Sequence, residues 1–432
     1  MQTSDTATDA VAEVTEWLAE NWDPDLTVGE WWERLGTAGW SAPGLPAGAY
    51  GRGLPRAEVV RVHNAITAFG ALGPPGGLGL LLAAPTIAVH GDDGQRERFI
   101  RPIVTGRHAW CQLFSEPAAG SDLAGLQTRA ERDGDEWVIS GQKVWTSGGQ
   151  VADMGMLLAR TDLNVPKHQG ITYFAFDMRQ PGVDIRPLRE MTGRSLFNEV
   201  FLSEARVPHD AIIGGLNNGW AVANTTLAFE RAGLGAGGES TAAAATPGSI
   251  AGDLDRRAAA VLASPRANGD SGVVPGTSRL LRALAHRLGV DTDPLVRQDL
   301  ARLHTLTEIG RYMMLRQKAL AADGRDLPGI GNMAKLSMSS ILRLSRDLSL
   351  RILGPRGTLH GYDAESTPEL DRLPGGELAG MATYMALFAQ GPSIYGGTDE
   401  IQHNILGERV LGLPREPNND RVTPFRDLPR NV

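Results

Sequence analysis

Three textures of hydrophobic and polar spacing follow one another along the chain. Over residues 10–108, Trp17, Leu18 and Trp22, then Trp31, Trp32 and Leu35, recur at helical spacing. Gly36, Gly39, Pro43 and Pro46 punctuate a turn-rich stretch, Arg56 to Gly70 resumes an amphipathic pattern, and Gln95 to Ile100 reads as a closing helix. The most apolar run, Leu72 to Val89, is broken by Pro74, Pro75, Pro85 and several glycines. It predicts a buried helix–turn–helix, not a membrane span.

From Ala109 the period shortens. Glu136–Ser140 and Lys143–Ser147, separated by Gly141, predict a hairpin with a short turn. Asp153–Arg160, Ile171–Asp177 and Asn198–Ser203 are further β-type runs, and their spacing predicts a compact antiparallel sheet or barrel.

After Pro208 the helical period returns. Leu227, Glu230, Arg231 and Leu234 fall at i, i+3, i+4 and i+7 on a helix that follows Asn217–Gly219. Ala232–Gly276 is rich in Ala, Gly, Ser and Pro, which predicts a small helix within a mobile insertion. Asp293–Pro294 forms a cap and first-turn pair for a helix to Ala322; Met333–Leu353 is another, and a last one follows Thr398. The expected fold class is α+β. It comprises an N-terminal helical domain (1–108), a middle antiparallel β-domain (109–212) and a C-terminal helical domain (213–432) with an insertion around 235–285.

Composition narrows the function classes. The 432 residues carry a formal net charge of −8, which gives no general attraction to nucleic acid or anionic membrane. An anionic ligand would need local positive charge or helix ends. Cys111 is the single cysteine, so no intrachain disulfide or thiolate metal site is possible, which suits a reducing cytoplasm. The polar, acidic stretch Met1–Ala12 is unlike a secretory signal. The nine histidines show no metal-ligand spacing, and His360 and His403 are expected as polar surface or interface groups.

Three segments carry a specific resemblance. Trp110–Asp122 (WCQLFSEPAAGSD), Phe197–Asp210 (FNEVFLSEARVPHD) and Ile394–Gln402 (IYGGTDEIQ), the last continued by Ile405–Leu413, are similar to the signatures of the acyl-CoA dehydrogenases in order and separation. The resemblance implies bound FAD and an acyl-CoA substrate. Gln112, Leu113, Phe114 and Ser115 would line the flavin, and Ser121 would meet a phosphate of cofactor or CoA. The Trp145 ring would pack against the flavin, with a hydroxyl of the adjoining Thr146–Ser147 bonded to N5. Thr398 and Glu400, at a helix start, match FAD-binding positions. Arg351 and Gly354 stand where the family has a Gln- and Gly-rich cofactor segment; Arg297 and Arg356 are further candidates for phosphate contact. Arg231, Gly396 and Gly397 match substrate-side positions. The family's Arg-x-x-Phe-Gly element is not visible.

Removing an α-proton needs a base, and a carboxylate in an apolar pocket suits the task. Many members place a Glu where this chain has Gly396. Others carry it before an Arg on the helix after the β-domain, and Phe229-Glu230-Arg231 resembles that arrangement, which makes Glu230 the expected base. The implied reaction is oxidation of acyl-CoA to trans-2-enoyl-CoA, with an electron-transferring flavoprotein as acceptor. The chain would act as a homo-oligomer or beside a sister chain, as dimer or tetramer. A non-catalytic partner subunit, or a flavin monooxygenase or acyl-CoA oxidase on the same fold, are the alternatives. The acyl group is not readable from sequence.

Overall fold

Helix α1 (Ala10–Asn21) starts at Asp9, whose carboxylate accepts from the Val11 N–H, and it buries Val14 and Leu18, four residues apart. This is a computed structural model that describes residues 9–235, 245–264, 276–322, 325, 327–363 and 365–429. Helix α2 (Val28–Thr37) opens on a capping box between Thr27 and Glu30 and buries Val28, Trp31, Trp32 and Leu35. Both α2 indoles are satisfied: Nε1 of Trp31 and of Trp32 donate to the carbonyls of Leu72 and Gly73 at 2.7 and 2.8 Å. Val62 and Ile66 of α3 (Arg56–Phe69) complete this first core.

The expected helix–turn–helix over 72–89 is corrected to a turn followed by one helical run. A π-type turn, Gly79–Ala83, leads straight into α4 (Ala84–His90), and a second, Arg96–Ile100, joins α5 (Asp93–Gln95) to α6 (Arg101–Val104). Each π-type turn precedes a proline, Pro85 or Pro102. The wider turn absorbs the missing N–H of the ring without ending the helix.

The middle region is a seven-stranded sheet of β1 (Trp110–Leu113), β2 (Arg129–Asp133), β3 (Glu136–Ser147), β4 (Met154–Arg160), β5 (Ile171–Asp177), β6 (Val183–Leu188) and β7 (Phe197–Pro208). Antiparallel pairing holds for β2–β3, β3–β7, β4–β5 and β6–β7, whereas β1 runs parallel to β4, so the sheet is mixed. The predicted hairpin at Gly141 does not form, because β3 passes straight through it. A Cβ at 141 would lie 2.4 Å from Thr128 Oγ1, so the glycine serves close approach rather than a turn.

Helix α7 (Gly219–Gly235) lies on the β-domain, burying Val222 and Ala223 in its core and joining Thr226 to Thr86 of α4 by a 3.0 Å hydroxyl contact. Segment 245–264, with α8 (Ala258–Ala263), contains the small helix expected of the insertion. Its contacts, however, are with the first helices. Val28 and Gly29 donate to the carbonyls of Arg256 and Leu254, and Ala245, Ala258 and Val261 enter the N-terminal core. The C-terminal bundle comprises α9 (Thr277–Arg287), α10 (Pro294–Ala322), α11 (Ile330–Leu353), α12 (Ser366–Asp371), α13 (Glu377–Phe388) and α14 (Asp399–Ile405). Its core is Leu281, Leu284, Leu303, Ile341, Leu348, Ala382, Met385 and their neighbours. Asp293 caps α10, accepting from the N–H groups of Leu295 and Val296. No described helix is long and apolar enough to cross a membrane.

Candidate active site

Strand β1 delivers the chain to the Ser-Glu-Pro loop, and a buried ion pair holds that loop in place. Glu116 accepts from Lys143 Nζ at 2.8 Å and from the backbone N–H groups of Gln127 and Thr128 at 2.6 and 2.9 Å. Lys143, fully buried in β3, also donates to the Phe114 carbonyl at 3.0 Å. Burial pushes the Glu116 carboxyl up, but the charge of Lys143 and these hydrogen bonds outweigh it and hold the group below its usual range. The Val144 N–H closes the connection on the Ser115 carbonyl. Sequence reasoning did not single out this pair. The signal was there, since Trp137, Ile139, Gly141 and Lys143 share one parity of β3 and a lysine on a core-facing row requires a partner.

The expected flavin-lining residues fall into two groups. Leu113 and Phe114 point into the core, so only their backbone is available to a cofactor, while Gln112 and Ser115 are half-buried. Ser121 is exposed at its turn, and the adjacent Asp122 pairs with Lys167 at 2.9 Å. At the end of β3, the step of three residues from Lys143 to Thr146 lies opposite a step of two on β7, from Val200 to Asn198. This bulge puts Trp145 at φ +62° with 58% of its surface exposed, edge-on to Phe197. A bulky residue in this left-handed region is strained by roughly 1–3 kcal/mol, a cost met mainly at ligand sites. The indole is thus not a strand-core residue but an outward-facing plate. Thr146 is buried beside it, and its Oγ1 has no hydrogen-bond partner among the described residues. A flat ring with a polar edge would satisfy that hydroxyl and cover the indole, so these residues fit a flavin. Ser147 is exposed.

Glu230 reaches strand β1 from helix α7. It is half-buried on α7, and Gln112 Nε2 donates to its Oε2 at 3.5 Å across 118 residues of sequence. Leu227 and Phe229 pack against the β-domain core, so the carboxylate sits beside an apolar surface. The side chains of Arg231 and Leu234 lie outside the described residues.

The C-terminal motif is held by a polar stripe on α11. Asn332, Lys335, Ser339, Arg343 and Arg346 recur every three or four residues, on one helix face. They bind Gln402, Asp399, the Pro392 carbonyl, Ser393 with Asp399, and Gln390, in that order. Buried Asp399 takes Lys335 at 2.9 Å and Arg343 at 2.6 Å; burial acts to raise its pKa, but these cations bring it down to about 2. Thr398 Oγ1 caps α14 by accepting from the Ile401 N–H, and Glu400 is exposed in the first turn. Gly396 and Gly397 have φ of +64° and +79°, with their carbonyls taken by Gln402 Nε2 at 2.9 and 3.4 Å. Helix α11 packs on α7 as well as α14, and so stands behind both Glu230 and this motif.

Two further expected positions have local partners. Arg351, exposed in the last turn of α11, pairs with Asp299 of α10 at 3.5 Å, and Gly354 caps that helix at φ +56°. His360 is an interface group, bonded to the Thr192 carbonyl and to Thr383 of α13.

Comparison with known proteins follows this division of the chain. Residues 2–107, 111–204 and 282–411 match the models for the N-terminal, middle and C-terminal domains of acyl-CoA dehydrogenase. Acyl-CoA dehydrogenase FadE34 of Mycobacterium tuberculosis is 38% identical over 381 residues, covering 88% of this chain but only 46% of that protein. Acyl-CoA dehydrogenase IpdE1 of the same organism is 35% identical, covering 89% of this chain and 88% of the relative. Among solved structures, the Tcur3481-Tcur3483 steroid ACAD superposes with a TM-score of 0.65 at 25% identity, over 96% of this chain and 100% of that one. The ChsE4-ChsE5 complex from Mycobacterium tuberculosis gives 0.64 at 26%, with the same coverage of both. The chain belongs to the acyl-CoA dehydrogenase family, whose members are FAD-dependent oxidoreductases.

Proposed function

We propose that this protein oxidises the Cα–Cβ bond of an acyl-CoA thioester, with Glu230 as the base that removes the α-proton. The observation that carries the reading is the approach of the Glu230 carboxylate to Gln112 on β1, next to the flavin-lining loop. FAD, when bound, supplies the acceptor for the hydride that leaves Cβ. The chain's own residues orient the ring through Trp145 and Thr146, take the proton at a Glu230 carboxylate oxygen, and exclude water with the apolar surface around Leu227 and Phe229. The Gly396 N–H stands as a donor to the thioester carbonyl, where enolate-like charge develops. Arg231 and Gly397 complete the substrate side, and Ser121, Thr398 and Glu400 the cofactor side, with Arg351 and Gly354 reaching it across a subunit contact. An electron-transferring flavoprotein is the proposed acceptor.

A bulky polycyclic acyl group and assembly with a sister chain are favoured by the likeness to a steroid ACAD and to a two-protein complex, as those proteins are titled. Anaerobic mixing of the FAD-loaded protein with a panel of straight, branched and polycyclic acyl-CoA thioesters tests this, alone and with a sister chain co-expressed. Bleaching of the flavin by a polycyclic thioester is expected. Failure of every thioester to bleach it under both conditions contradicts the reading, and leaves the non-catalytic subunit.

A further inference from the structure

The loop over residues 115–128 is gripped from two sides, and one grip depends on a distant part of the chain. On the sheet side stands the buried Glu116–Lys143 pair. On the other side, Arg160 at the end of β4 donates to the carbonyls of Ala124 and Leu126 at 2.6 and 3.1 Å, and to that of Lys167 at 3.0 Å. Lys167 in turn holds both carboxylate oxygens of Asp122, at 2.9 and 3.0 Å. Both cations are buried.

What covers them is residues 420–428, beyond residue 411, where the match to the family's C-terminal domain ends. Residues 411–419 are exposed throughout, and the chain then docks on the β4–β5 loop. The N–H groups of Phe425 and Arg426 donate to the Val165 and Leu163 carbonyls at 2.9 and 3.1 Å, Pro424 bridges Pro166, and Arg426 Nη1 reaches Asn164 at 2.7 Å. Asp420 takes Lys167 at 2.5 Å; burial acts to lower the Lys167 pKa, but Asp420 and Asp122 outweigh it and raise it. The centre of the Phe425 ring lies 3.5 Å from the guanidinium carbon of Arg160.

Arg160 is the exacting member of this set. Its side-chain hydrogen bonds among the described residues go to three carbonyls, while Glu116 and Asp122 act on it through charge alone. Burial brings its pKa down to about 10. A buried cation held in this way depends on oriented carbonyls and an aromatic face in place of water. Phe425 supplies the face. Water admitted in its place would compete for the same N–H groups, and so for the bonds to Ala124 and Leu126.

We propose that residues 420–428 are a latch that holds the 115–128 loop in its flavin-binding shape, with Phe425 as a positioning residue that acts through Arg160. Asp420 assists through Lys167 and Asp122. Phe425 need not touch any ligand for this. The latch rests on the reading that the 115–128 loop lines the flavin, and not on the choice of base or acyl group.

The test reads the full chain in two ways: hydrogen exchange of the cofactor-free protein by mass spectrometry, and FAD affinity by flavin fluorescence. Phe425→Ala is expected to speed exchange over residues 116–128 about tenfold and to weaken FAD binding about tenfold, with exchange in α11 unchanged. Phe425→Leu, which fills the space without a π face, should behave alike, whereas Phe425→Tyr should restore both readouts. Unchanged exchange over 116–128 in Phe425→Ala overturns the latch. Faster exchange spread over the whole chain, α11 included, overturns it too, because Phe425 would then be an ordinary packing residue. Full rescue by Phe425→Leu overturns the role of the ring over the guanidinium. Faster exchange confined to 116–128, with FAD bound as tightly as by wild type, sinks the placement of the flavin on this loop and leaves the latch standing.

Discussion

Replacing Thr146 by valine should move apoprotein stability and FAD affinity in opposite directions. The hydroxyl is buried with no partner among the described residues, and a buried unsatisfied polar group costs about 1–3 kcal/mol. Valine keeps the branched shape that packs against Gly149 and leaves the backbone intact, including the Thr146 carbonyl that accepts from Asn198 at 3.0 Å. Apo Thr146→Val should therefore be more stable than apo wild type by about 1–2 kcal/mol, read as a higher urea midpoint with unchanged slope. On the proposed reading, bound FAD gives the wild-type hydroxyl its partner. The variant should then bind FAD about three- to tenfold more weakly in a flavin-fluorescence titration, the loss of a hydrogen bond worth about 1 kcal/mol. A variant that is less stable as apoprotein and binds FAD as tightly as wild type would refute the reasoning, because Thr146 would then be an ordinary core residue.

Three other perturbations probe the scaffold. Lys143→Met leaves the Glu116 carboxylate buried without its cation and should destabilise the protein by about 3–5 kcal/mol in chemical denaturation. Gly141→Ala forces a Cβ to within 2.7 Å of the Thr128 backbone and should cost about 1–3 kcal/mol, whereas a hairpin turn there would tolerate it. Asp399→Asn should destabilise at neutral pH by about 2 kcal/mol, in proportion to the drop of the folded carboxyl to about 2 from an ordinary value near 4. Since the folded pKa is depressed, that stability is complete above about pH 4 and is lost as pH falls through about 2; the gap between variant and wild type in acid-unfolding curves should close over that window.

The α–β–α order was legible because the strong periodic signals are local. Trp17 to Trp22 and Trp31 to Leu35 recur at helical spacing, and the runs that became β4 and β5 are continuous apolar stretches, buried on both faces. What failed to show was set by distant partners. Gly141 has the local marks of a turn, and only Thr128, just before β2, explains it as a strand residue. Helix α13 escaped notice because its Ala, Met, Leu and Phe surround it without a polar face. The stripe from Asn332 to Arg346 has the look of a solvated surface, yet it faces the C-terminal motif. Within the site, resemblance singled out Gln112 and Glu230 separately, but no spacing rule could join them across 118 residues. The outward indole of Trp145 depends on a bulge between β3 and β7, a matter of register that one strand does not encode.

The reading of Glu230 as base stands or falls on single-turnover kinetics. In anaerobic stopped-flow, Glu230→Gln protein with full FAD content and a saturating thioester substrate should reduce its flavin at least about 10²–10⁴ times more slowly than wild type, the range expected for removal of a general base. Reduction at the wild-type rate would contradict the account and place the proton-accepting group elsewhere.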